Sequence, residues 1–151
     1  MKTSNTMSRL ESVSRSLAAS LRQVSDRQQR AACLAACEFA VEHSGVDSPV
    51  VEHALQALRQ SKPVAPQVKR DLEALTQRLD DEYFDLQEAA ENGTASEDEW
   101  KRAFSQARAA SALVFASGDD AFEAASQAIY EATATVDDNS ELVVIVAKAM
   151  A

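Results

Sequence analysis

The sequence predicts an all-α protein, a single-domain array or bundle of six to seven mostly antiparallel helices. Composition and periodicity carry that expectation. Alanine occurs 29 times, glycine and proline only three times each, and aromatics make up 5% of the 151 residues. Alanine is the strongest helix former, whereas strands draw on β-branched and aromatic side chains and tight hairpins on glycine. Apolar residues also recur at steps of three and four, the spacing that turns one face of a helix toward a core. A chain of this length can bury a core without disulfides or metals. All of residues 1–151 are therefore read as one helical domain, with 1–7 as a flexible N-terminal tail.

The first helix is expected over residues 8–24, where Leu10, Val13, Leu17, Leu21 and Val24 form the stripe and Ser8 with Glu11 a capping box. A second starts at Ser25 or Asp26 and runs to about His43, with Gly45 just past its end. Between Ala31 and Val41 only Glu38 is charged, so this helix should be the most central. On a helical wheel Glu38 joins Gln28, Ala31, Ala35 and Glu42 in a narrow stripe that water can reach.

Ser48-Pro49 opens a third helix over roughly 49–60, because proline at the first helical position lacks an N–H that would go unpaired there. Pro63 and Pro66 bracket a linker. The fourth helix is long, with its stripe at Val68, Leu72, Leu75, Leu79, Tyr83, Leu86 and Ala90 and its end near Asn92-Gly93. Ser96 with Glu99 caps a fifth over about 97–116, which should bury Trp100, Phe104, Ala107, Ser111 and Val114. Asp120 with Glu123 opens a sixth, with Phe122, Ala125, Ile129, Ala132 and Val136 inward. The β-branched run in Leu142–Val146 suits a strand, but a lone strand would find no partner, so 141–150 is read as a closing helix.

Charge is unevenly distributed. From Asp80 to Glu99 there are nine acidic residues and no basic one, a window equal to the whole net charge of −9. Residues 1–79 carry eleven Lys/Arg and eight Asp/Glu, and residues 80–151 four and sixteen, which disfavours phosphate backbones as ligands of the second half. No nucleic acid is expected as a partner. The longest aliphatic run, Leu142–Ala147, is too short for a bilayer and the N-terminus lacks a secretory apolar core, so the expected location is cytoplasmic, without membrane.

The sequence contains no phosphate-cradling glycine loop, nucleophile elbow or paired metal-binding histidines on one helix. Glu42-His43 and Glu52-His53 are adjacent, which points their side chains to different faces, whereas metal sites in helical bundles use Glu three residues before His. Cys33 and Cys37 supply two soft ligands where zinc needs four, and are read as reduced, buried structural thiols. No catalytic residue, metal or cofactor is assigned.

The acidic window yields the one candidate site. With Leu79, Tyr83 and Leu86 inward, Phe84 lies about 140° away at about 100° per residue, among Asp80, Asp81, Asp85, Glu88 and Glu91. An aromatic anchor amid steering charges has the composition of a protein-binding hot spot for a basic partner. The competing expectation is that Phe84 packs against a second neighbour inside the fold. In physical profile the chain resembles bacterial immunity proteins that block nuclease-type toxins with an acidic surface, a resemblance resting on size, charge and class rather than on a motif. Small acidic secretion chaperones share the profile. A scaffold role is a further alternative, and a ligand-binding or enzymatic bundle would require Glu38 or another acid to be buried beside a pocket.

Overall fold

The computed structural model describes residues 9–151, so the expected tail and the Ser8 half of the first capping box lie outside the described residues. The described chain is all-α, with eight helices and no strand: α1 Arg9–Val13, α2 Arg15–Gln23, α3 Asp26–Ser44, α4 Pro49–Arg59, α5 Pro66–Glu91, α6 Glu97–Ala116, α7 Ala121–Thr133 and α8 Ser140–Met150. No helix among the described residues is long and apolar enough to cross a membrane.

The eighth helix arises from a break in the first. Ser14 leaves helical geometry at φ −154°, and its hydroxyl accepts the Leu17 N–H at 3.2 Å, so it serves as the N-cap of α2. Serine hydroxyls compete for backbone groups in this way and favour caps over helix interiors. The break redirects the stripe: Leu10, Leu17 and Leu21 are buried, but Val13 is exposed, contrary to the continuous helix over 8–24.

The remaining boundaries follow their caps. Ser25 and Gln28 form a full capping box, as do Ser96 and Glu99, and the Asp120 carboxylate accepts the Glu123 N–H at 2.8 Å. Gly45 at φ 72° and Gly93 at φ 79° take the left-handed positions after α3 and α5. Helix α7 ends at Thr133, so Val136 packs from the following turn rather than from the helix.

Helices α3, α6 and α7 form the centre. Helix α3 touches α4, α6, α7 and α8, while α6 lies among α3, α4, α5 and α7. Both bury alanine against their neighbours: Ala32, Ala36 and Ala40 on α3 and Ala103, Ala107, Ala109, Ala110, Ala112 and Ala116 on α6 are buried. Small residues let the axes approach, and Leu21, Leu72, Leu113, Ile129 and Leu142 fill the remaining volume. Because α6 has neighbours on several sides, its buried surface is broader than one stripe, and Ser111 and Val114 are only half-buried. Cys33 and Cys37 are free and buried; the neighbouring Cys33 thiol and complete burial hold the Cys37 thiol well above its ordinary pKa. Glu38 stays half-exposed and pairs with Arg59 at 2.9 Å.

One charged group does lie in the core. Glu131 is 2% exposed, and its two carboxylate oxygens accept from Arg108 at 2.8 Å and Arg9 at 2.9 Å. Arg9 also donates to Gln127 and sits over the Tyr130 ring at 4.4 Å. A buried carboxylate needs such pairing, because desolvation without a partner costs several kcal/mol.

Candidate partner-binding face

Helices α5 and α6 are joined by residues 92–96 and run antiparallel: Tyr83 faces Trp100 and Phe104, and Asp80 reaches Arg108, so higher numbers on one helix meet lower numbers on the other. The hairpin has two contrasting stretches. Leu72, Leu75 and Leu79 of α5 are buried, but from Asp80 to Arg102 no residue is. What holds this stretch together is a half-buried aromatic brace, with the Tyr83 ring centroid 5.1 Å from Phe104 and 6.0 Å from Trp100. Trp100 and Phe104 therefore pack between the two helices and not in the main core as the periodicity suggested.

Outside that brace, Phe84 is 60% exposed. Its ring meets Tyr83 at 4.9 Å, with no second helix over it, which removes the sandwiched alternative. Asp81, Asp85, Glu88 and Glu91 are exposed beside it. At about 100° and 1.5 Å per residue, Asp81, Phe84, Asp85, Glu88 and Glu91 span an arc of about 120° and a ridge of about 15 Å. Asp81 accepts a hydrogen bond from Gln77 at 3.0 Å. The carboxylates of Asp85, Glu88 and Glu91 have no intramolecular hydrogen-bond or ion-pair partner among the described residues, and neither do those of the nearby Glu82 and Asp98.

Asp80 differs from the rest of the predicted set. It is half-buried and accepts from Arg108 at 2.8 Å, the same guanidinium that holds Glu131. Its charge is already neutralised, so it anchors the base of the ridge to α6 and contributes little to a steering field. At the other end of the window Glu99 closes its capping box and Glu97 pairs with Lys101 at 3.3 Å. The free negative charge thus concentrates on the outer face of α5, where the fields of neighbouring carboxylates add.

Reasoning from the sequence missed Arg108 and Glu131, although an arginine followed by two alanines in α6 and a glutamate in the alanine-rich second half of α7 were visible signals. Among the described residues no group of three or more His, Cys, Asp or Glu side chains converges as a metal-ligand set. No family model matches the chain, and no curated protein or solved structure is significantly similar to it.

Proposed function

We propose that this chain is a non-catalytic protein-binding domain that receives a basic partner on the outer face of α5, neutralising or escorting it in the manner of an immunity protein facing its toxin. The observation that carries the reading is Phe84: a large ring left 60% exposed in the middle of a ridge of unpaired carboxylates. An exposed phenylalanine contributes little to folding, whereas at an interface it can fill a partner's pocket while the surrounding charges accelerate and orient encounter. Asp81, Asp85, Glu88 and Glu91 are the steering groups, and Asp80 positions the ridge. A cytoplasmic location is part of the proposal, and the free thiols Cys33 and Cys37 suit a reducing compartment.

The test is capture from native lysate at low and high salt with the wild-type chain, Phe84→Ala and the double variant Asp85→Lys/Glu88→Lys, followed by association kinetics on whatever protein is retained. A basic partner whose association rate falls and loses salt dependence in the double variant, and whose dissociation quickens in Phe84→Ala, supports the reading. Retention indifferent to both variants defeats it.

A further inference from the structure

At the end of the α5–α6 hairpin remote from the acidic ridge, the first half of α3, the end of α4 with the residues that follow it, and the end of α6 line a cavity of about 330 Å³. Much of its wall is apolar, formed by Leu58, Val64, Ala116 and the Cys33 side chain. Two cations reach it, Arg30 and Lys62, and neither pairs with a carboxylate among the described residues. Arg30 donates to the carbonyls of Ala116 at 3.2 Å, Gly118 at 2.9 Å and Asp119 at 2.8 Å. These bonds fix the guanidinium plane against the end of α6 and leave part of its five-donor edge uncommitted. The Lys62 ammonium has no hydrogen-bond or ion-pair partner among the described residues.

The segment that presents Lys62 is held in an unfavourable conformation. Helix α4 closes with Ser61 N–H on the Leu58 carbonyl at 3.1 Å and Lys62 N–H on the Ala57 carbonyl at 2.9 Å, which puts Ser61 at φ 56°. Ser61 is the one non-glycine in the left-handed region among the described residues, where α3 and α5 end on glycine. A side chain there destabilises the backbone, and such strain is characteristic of sites where the side chain has another role. Pro63 follows and stiffens the wall, so the cavity does not have to be ordered on binding.

We propose that this cavity binds a small monocarboxylate with an apolar tail, its carboxylate between Lys62 and the free edge of Arg30 and its tail against Leu58 and Val64. Asp119, exposed on the cavity's rim, repels a second negative charge and so selects against dicarboxylates. The site is independent of the acidic ridge, and either can fail without the other.

The probes are hexanoate and its neutral isostere hexanamide, titrated into the full chain and followed by backbone amide shifts and by thiol labelling. Cys33 lines the cavity while Cys37 is wholly enclosed, so labelling reports on Cys33. The expected result is that hexanoate shifts amides in residues 58–64 and 116–119, slows labelling, and binds about tenfold more tightly than hexanamide, the difference one charge-assisted contact makes. Lys62→Gln, an exposed substitution whose lost ammonium has no partner among the described residues, should cut the preference for hexanoate over hexanamide severalfold, Arg30 keeping the remainder, and leave hexanamide unchanged. Equal binding of the two probes, no binding by either, shifts elsewhere, or an undiminished preference in Lys62→Gln would overturn the proposal.

Discussion

Helix α6 belongs to two different regions. Its last fourteen residues, Ala103–Ala116, contribute seven buried side chains to the centre, whereas Glu97–Arg102 stand in the hairpin tip with none. The centre is alanine-lined and closely packed; the tip is aromatic, acidic and open to water. Along a single helix the buried side chains and the exposed acidic ones have been kept apart, Arg108 being the charged group that the packed part holds. A surface whose side chains contribute little to folding can change without endangering the fold.

The largest expected effect tests this separation directly. Leu113→Ala should destabilise the protein by about 2–5 kcal/mol in urea unfolding, because Leu113 is fully enclosed and its removal leaves a cavity. Phe84→Ala deletes a larger side chain and should change stability by less than about 1 kcal/mol, since most of the ring is already in water. Equal losses would erase the distinction. Next comes Glu131→Gln, which leaves Arg9 and Arg108 without their shared carboxylate. A loss of about 2–3 kcal/mol is expected, below the full value for a broken buried pair, because Arg108 keeps Asp80 and Arg9 is partly in solvent. A thermal melt indistinguishable from wild type would show that the centre tolerates an isolated charge.

Ser61→Gly should raise stability by about 1 kcal/mol by relieving the left-handed backbone. Asp85→Lys/Glu88→Lys should move stability by no more than about 0.5 kcal/mol while altering association with a basic partner. Should the charge-reversed protein melt markedly early, the ridge would prove to be part of the structural frame after all.

Much of the fold was legible because helix ends are local events. Ser96 with Glu99, Pro49, Gly45 and Gly93 each place a boundary using residues within one turn. The closing helix was legible for a different reason: a strand at Leu142–Val146 would have had no partner. What the sequence concealed depends on distant contacts. Ser14 breaks a helix whose stripe reads as continuous, and Trp100 and Phe104 have core periodicity yet stay half-buried against Tyr83 of the facing helix. In the candidate site, the direction of Phe84 followed from the angle per residue, but its exposure depended on whether another helix lay above it. Asp80 was indistinguishable from Asp81 until Arg108, 28 positions away, took one of the two.

The Arg9–Glu131 contact joins groups 122 positions apart. Helices α1 and α2 are synthesised before α7 and α8, but the surfaces that cover Leu10, Leu17 and Leu21 include those two helices. At about 5–20 residues per second, the wait is on the order of 6–25 s for a nascent chain. During that interval its N-terminal leucines have no permanent neighbours. Factors that shield nascent apolar segments would therefore be expected to engage the first two helices, and a chain truncated before α7 should leave those helices without their native docking surface.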